Sequence, residues 1–116
     1  MPDWREVVAI GLRFPDVFEA TSYGTPALKA AKRGGLLCRL RTDPDALVLR
    51  LADLGEREAL LQGEPDVFFT IPHYHGSPYV LAHLDRIDPT ELAELIEDAW
   101  RLQAPRRTVS AYDAGR

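Results

Sequence analysis

Two apolar runs of alternating pattern stand in the second half of the chain, at Val67–Ile71 and Tyr79–Leu84. Apolar residues recur at every second position in both runs, which is the period of half-buried β-strands. Pro72, Gly76 and Pro78 interrupt the pattern between them. The pattern therefore predicts an antiparallel hairpin with a long loop.

The clearest strand pattern lies on both sides of the turn Asp43-Pro44-Asp45. Alternation gives the strand before the turn an apolar face and a basic face, made respectively by Leu36, Cys38 and Leu40 and by Leu37, Arg39 and Arg41. After the turn, Leu47, Leu49 and Leu51 alternate with Val48 and Arg50. The sequence thus predicts a sheet with one apolar face and one basic face.

Turn formers and short extended segments precede these strands. Residues 18–26 are rich in turn formers and lead to a strand predicted near Ala27–Lys32. A hairpin turn is expected at Arg33-Gly34-Gly35, because glycine adopts positive φ at little steric cost.

Three segments carry helix signals. In each, an acidic residue precedes a glutamate by three positions, so that side chains can satisfy backbone N–H groups of the first turn: Asp3 and Glu6, Asp53 and Glu56, Asp88 and Glu91. Pro15 and Gly63 are expected to end the first two helices. The third has an apolar stripe at helical spacing: Leu92, Leu95, Ile96, Ala99 and Leu102.

These elements predict a two-layer α+β domain. Their order is a helix, three or four antiparallel strands, a helix, a two-stranded hairpin and a C-terminal helix, with helices covering one face of one antiparallel sheet. A single domain is expected over residues 1–105, followed by a tail at 106–116 that has little to bury and is partly mobile.

Composition narrows the class of protein. The chain has 116 residues, a formal net charge of −4 and one cysteine, Cys38. This length is enough for one core without a disulfide or a structural metal. The acidic residues at the N-terminus do not resemble a targeting peptide, and no apolar run approaches a membrane span. We expect a soluble cytoplasmic protein without a cofactor, a monomer or weak homodimer.

Several segments together resemble the MmcQ/YjbR family of small bacterial proteins. They are SYGTPAL, LLCRLRTDPDALVLRL, EREALL, PDVFFTIPHYHGSPYVL and LAELIEDAWRLQAPRR. The resemblance implies a fold similar to secretion chaperones, a double-wing arrangement and DNA binding, and it brings no catalytic residues with it. The family motifs would place a functional loop at Tyr23, Gly24, Pro26, Pro72, His73, Tyr74, His75 and Gly76.

Positive charge is concentrated in one part of the chain, since basic residues predominate from Lys29 to Arg50 and acidic ones from Asp53 to Asp98. Guanidinium groups in a row can bind phosphates bidentately, and an aromatic ring can stack on a base. The residues predicted to contact nucleic acid are Lys29, Lys32, Arg33, Arg39, Arg41, Arg50 and Tyr74. The alternative is that the basic residues form the solvated outer face of a one-sided sheet and that Tyr74 is amphipathic cover for a core.

Other candidate sites have weaker patterns. His73 and His75, with His83, could begin a metal site, but the motif contains no carboxylate or thiolate, and polar loop residues are the favoured interpretation. Cys38 alternates with leucines and is expected to be buried and unreactive. Ser22 lacks the glycine pattern of a nucleophile elbow.

Three classes of function remain open on the sequence. The first is a nucleic-acid-binding module, with DNA as the expected partner. The second is a protein-interaction module that uses a sheet surface or edge. An enzyme centred on His73 and His75 is the third class, and we expect no catalysis. Affinity that falls steeply with salt distinguishes the first class from the second.

Overall fold

The computed structural model describes residues 2–31 and 35–115 and contains one six-stranded antiparallel sheet. Its strands are β1 (Phe18–Ser22), β2 (Thr25–Lys29), β3 (Leu36–Arg41), β4 (Ala46–Arg50), β5 (Phe68–Phe69) and β6 (Tyr79–Ala82). Their order across the sheet is β1-β2-β3-β4-β6-β5. The predicted α+β class is confirmed, and the predicted hairpin joins the sheet through β6.

Four helices accompany the sheet: α1 (Trp4–Gly11), α2 (Leu54–Gly63), α3 (Pro89–Gln103) and α4 (Arg106–Ala114). The first three begin at the predicted caps. Asp3 and Asp53 each accept a hydrogen bond from the backbone N–H three residues on, at 3.0 and 2.8 Å. Asp88 accepts two, from Thr90 and Glu91. None of the helices in the described ranges is long and apolar enough to cross a bilayer.

The main core lies between the sheet and helices α1 and α3. Leu92, Leu95, Ile96 and Ala99 are buried there as predicted, but Leu102 is 47% exposed and Trp100 is fully buried instead. These two residues flank the apolar stripe on opposite sides. The segment that follows α1 covers Trp100, whose indole N–H donates to the Pro15 carbonyl at 2.9 Å.

A β-bulge changes the predicted faces of β3. Leu28 pairs with Cys38 while Lys29 pairs with Leu36, so the register shifts by one residue at this point. Leu37, which strict alternation placed on the basic face, is therefore fully buried in the main core together with Cys38. An extra residue in one strand of a pair alters the direction of its neighbours in this way.

The outer face of the sheet, opposite α1 and α3, is partly covered. The loop between β5 and β6 carries Tyr74, whose ring packs on Ala46, Val48 and Leu81 in a second, smaller apolar cluster. The outer face is therefore not wholly solvated. Apolar side chains beside the arginines give the loop a surface to cover.

Helix α4 occupies residues that the sequence analysis assigned to the tail. Val109 and Tyr112, three positions apart and so on one face of the helix, pack against the main core. The Tyr112 ring lies 5.0 Å from that of Trp100 and 5.8 Å from that of Phe14. These contacts give the segment apolar surface to bury, and mobility at its end stays a prediction.

Candidate functional site

Arg39 is a buried cation on the outer face. It lies on β3 between Ala27 of β2 and Val48 of β4, and it is 8% exposed. Its Nη1 donates to the Tyr74 hydroxyl at 2.9 Å, and its Nε donates to the Ser22 carbonyl at 3.4 Å. Both acceptors are uncharged, so they satisfy donors without neutralising the guanidinium.

Tyr23 stands above Arg39 because of the turn between β1 and β2. Ser22 pairs with Thr25, and the two residues between them, Tyr23 and Gly24, have φ of 53° and 78°. Positive φ at both central positions is the type I′ hairpin geometry. The Tyr23 side chain is 86% exposed, and its ring centroid lies 5.2 Å from the Arg39 guanidinium carbon.

Two further arginines contact tyrosine rings on this face. The Arg41 guanidinium carbon lies 5.9 Å from the ring centroid of Tyr74, and that of Arg50 lies 5.7 Å from Tyr79. The two tyrosine rings are 5.6 Å apart. We name this set the arginine–tyrosine array: Arg39, Arg41, Arg50, Tyr23, Tyr74 and Tyr79. Cation–π contacts of this kind hold a guanidinium without removing its charge.

A cavity of about 320 Å³ opens in the array, and we name it the Arg39 cavity. It is lined by two arginines, two threonines and three aromatic side chains: Arg39, Arg41, Thr25, Thr42, Tyr23, His73 and Tyr74. No carboxylate stands in this lining. A smaller hollow of about 160 Å³ lies beside it and shares Tyr23, Arg39, His73 and Tyr74.

The arginines of the cavity have no acidic partner in the part of the chain that the structure describes. Both ion pairs found there belong to Arg101, which binds Glu97 and Asp113. The Arg41 Nη2 donates only weakly, to the Asp43 carbonyl at 3.4 Å, and its buried Nε has no hydrogen-bond partner. The cavity therefore presents two uncompensated positive charges to a ligand.

Arg57, which the sequence analysis did not single out, holds the loop over the array. This residue of α2 is 4% exposed and donates to the carbonyls of Tyr74, Ser77 and His75 at 2.7, 2.9 and 2.8 Å. On α2 it shares helical spacing with Leu60 and Leu61, which pack against the core. That spacing was the one signal in the sequence that distinguished it from a solvated charge.

The other predicted contact residues do not join the cavity. Lys29 is half-buried on β2 and pairs with Leu36, and Arg50 lies in the array but outside the cavity lining. Lys32 and Arg33, with the Gly34 of the predicted turn, fall outside the described residues. Tyr74 was predicted to stack on a base, but it is 8% exposed because its ring packs on the sheet. Two of the cavity's rings belong to exposed residues, Tyr23 and His73.

The family-motif residues have different roles. His73 lies against Tyr74 with its ring edge-on, at 4.7 Å between centroids, and it lines the cavity. His75 is exposed and contributes its carbonyl to Arg57. Pro72 begins the 3-10 turn Pro72–Tyr74, and an added Cβ at Gly76 would meet open space. Pro26 is exposed on β2.

The three histidines do not gather as metal ligands. His83 stacks on Phe69 at 4.5 Å between ring centroids and is not among the residues that line the Arg39 cavity with His73. Over residues 2–31 and 35–115, no group of three or more His, Cys, Asp or Glu side chains is placed to hold a metal ion. Cys38 is fully buried, and burial raises the pKa of its thiol to about 12.

Comparison with known proteins gives the chain relatives and a structural neighbour. Uncharacterized proteins of Mycobacterium bovis and Mycobacterium tuberculosis are 42% identical over 79 residues, which are 66% of this chain and 61% of each relative's length. The crystal structure of Deinococcus radiodurans protein DR2400, with a DUF419 domain, superimposes with a TM-score of 0.72 at 20% identity. The match covers 88% of this chain and 78% of that one. The YjbR family model matches residues 12–102, and the chain therefore belongs to the YjbR family.

Proposed function

We propose that this chain binds single-stranded nucleic acid, with DNA as the first candidate, through the arginine–tyrosine array. One observation carries the proposal. The guanidinium groups of Arg39 and Arg41 meet the exposed ring of Tyr23 in a cavity whose lining contains no carboxylate. Such a site offers donors for a phosphate and a flat ring for a base.

Local charge supports the proposal although the chain is acidic overall. The formal net charge is −4, yet the two cavity arginines have no acidic partner among the described residues. Affinity for a polyanion depends on the phosphates that are neutralised and on the counterions released there. A local pair of uncompensated cations is therefore sufficient for modest binding that weakens in salt.

The exposed ring favours a single strand over a duplex. Tyr23 is 86% exposed at the tip of a two-residue turn. A base can stack on such a ring only when it is not already stacked in a double helix. Tyr74 has another role in this proposal, because it is buried and holds Arg39 through its hydroxyl.

Titration of a labelled oligonucleotide at several salt concentrations tests the phosphate contacts. Arg41→Gln removes one cation from the cavity, and we expect the slope of log affinity against log salt to become shallower by about 0.7. Arg5→Gln is the matched control, because Arg5 is exposed on α1, at the other face of the sheet. It should leave the slope unchanged.

Tyr23→Asn tests the stacking contact separately. Asparagine tolerates the positive φ of this position, so the turn should be retained. Loss of the ring should weaken single-stranded binding by about 1–3 kcal/mol without changing the salt slope. If the wild-type protein binds no oligonucleotide even at low salt, the proposal fails, and the edge strand β1 becomes the surface to test for a protein partner.

A further inference from the structure

Arg39 is buried with its charge unpaired, and it offers more hydrogen-bond donors than one contact with a backbone phosphate requires. Its guanidinium group has five N–H donors, of which the hydrogen bonds to Ser22 and Tyr74 occupy two, both with neutral acceptors. The side chain is 8% exposed and lines the Arg39 cavity. Burying an unpaired charge is costly, and an anion that enters the cavity would offset that cost.

The cavity provides a second cation for the same anion. Arg41 lines it as well, and its hydrogen bond through Nη2 is the weak one to the Asp43 carbonyl. Thr25 and Thr42 belong to the same lining, and the Thr25 hydroxyl donates to the Ser22 carbonyl at 2.9 Å. Two guanidinium groups match a compact anion with two charges and several acceptor oxygens.

Access to Arg39 distinguishes the two kinds of phosphate in a nucleic acid. An internal phosphodiester carries one charge and has a nucleoside on each side, so it approaches a residue that is 8% exposed less readily than a phosphate with one substituent does. A terminal phosphate monoester carries one substituent and nearly two charges at pH 7. The volume of about 320 Å³ is at the small end of the range for ligand sites and suits one terminal group.

We infer that the Arg39 cavity binds a terminal phosphate monoester of a nucleotide or oligonucleotide, on Arg39 and Arg41, with the adjoining base on Tyr23. The polymer part of this inference rests on the proposed function. The monoester itself has two sources, a free nucleotide or the end of a strand, and both present the same chemistry to the cavity.

Three matched oligonucleotides of one sequence test the inference on the wild-type protein. One carries a 5′-phosphate, one a 3′-phosphate and one hydroxyl groups at both ends, and a nucleoside monophosphate and inorganic phosphate serve as competitors. We expect a phosphate-bearing end to increase affinity by about tenfold or more, as charged hydrogen bonds of this kind do.

Variants test which residues produce the increase in affinity given by a phosphate-bearing end. Arg39→Lys retains the charge but removes the fork of donors, and Arg41→Gln removes the second cation. Both should abolish most of the difference between phosphate and hydroxyl ends, whereas Arg5→Gln should preserve it. Circular dichroism and the denaturation midpoint establish that each variant is folded.

The outcomes separate this inference from the proposed function. Equal affinity for phosphate and hydroxyl ends in the wild-type protein would overturn the terminal-phosphate site and leave nucleic-acid binding in place. Binding of the nucleoside monophosphate without any affinity for the strands would support the terminal-phosphate site and overturn the proposed binding of single-stranded nucleic acid. Affinity for none of the probes would overturn both.

Discussion

Arg57 and Tyr74 lie 17 positions apart in the chain and are joined by a hydrogen bond of 2.7 Å from the guanidinium to the backbone carbonyl. The hydroxyl of the same tyrosine accepts from Arg39 at 2.9 Å. One side chain of α2 thus fixes the loop residue that contacts the arginines of the cavity. Stability of the loop and geometry of the cavity should therefore change together.

Arg57→Met should lower the free energy of unfolding by about 2–4 kcal/mol, because it leaves three carbonyls without their donor. Denaturant titration measures the loss. Hydrogen exchange should also accelerate at the amides of Tyr74, His75 and Ser77, which donate to acceptors within residues 71–74.

Arg86→Met is the matched control for Arg57. Arg86 is exposed and donates to one carbonyl, that of Asp66, at 3.1 Å. Its loss should cost less than about 1 kcal/mol. Equal losses in the two variants would contradict the role given to Arg57.

Local signals in the sequence predicted most of the fold. Caps at Asp3, Asp53 and Asp88 were recognisable because a helix start depends on residues three or four positions apart. Alternation in β3 and β4 likewise depends on neighbours within one strand. The predicted faces of Leu36 and Leu37 were wrong because of the bulge. The bulge arises from the register between β3 and β2, and a pattern within one strand does not contain that register.

The geometry of the candidate site could be predicted only in part, because local patterns again do not contain contacts between distant segments. Alternation placed Arg39 and Arg41 on one face, and the structure brings both into the cavity. Which tyrosine is exposed depends on how the loop folds back over the sheet, a contact between segments far apart in sequence. Arg57 was missed because a charge on a short helix is usually solvated, and its acceptors are backbone carbonyls that carry no sequence signal.

The apolar stripe of α3 offers a comparison of one substitution at two positions. Leu95 is 6% exposed and Leu102 is 47% exposed on the same helix. Leu95→Ala should cost about 2–5 kcal/mol, since it leaves a cavity in the core, whereas Leu102→Ala should cost less than about 1 kcal/mol. Denaturation midpoints compare the two, and similar values would contradict the packing of α3 on the sheet.

Cys38 should resist a thiol reagent in the native protein. It is fully buried, and its pKa of about 12 leaves almost no thiolate at neutral pH. Ser110→Cys adds a matched exposed thiol on α4. This variant should show one fast and one slow reacting group, with both fast in denaturant. Fast reaction of the native wild-type protein would contradict this burial and show that the face of β3 that carries Cys38 does not point inward.

Glu91 should make stability decrease as pH rises. It lies in the first turn of α3 near Glu64, the C-cap residue of α2. Its pKa is raised to about 7, first by burial, then by the hydrogen bond with Glu64 and the charges of Glu64, Asp88 and Glu94. An unfolded glutamate titrates near pH 4.3. Between these values the folded state binds more protons than the unfolded state, so the free energy of unfolding falls with rising pH.

Glu91→Gln should remove this dependence, because an amide stays neutral at every pH. Relative to wild type, the variant should be more stable at about pH 8, where Glu91 is ionised, and little changed at about pH 4, where it is protonated. Glu58 is exposed on α2 and is not among the groups that raise the Glu91 pKa. Glu58→Gln removes the same charge and should show no such divergence. Denaturant titrations across this range measure both. A Glu91→Gln protein that tracks wild type from acid to alkaline pH would contradict the raised pKa, because a carboxyl that titrates normally adds no slope in this interval.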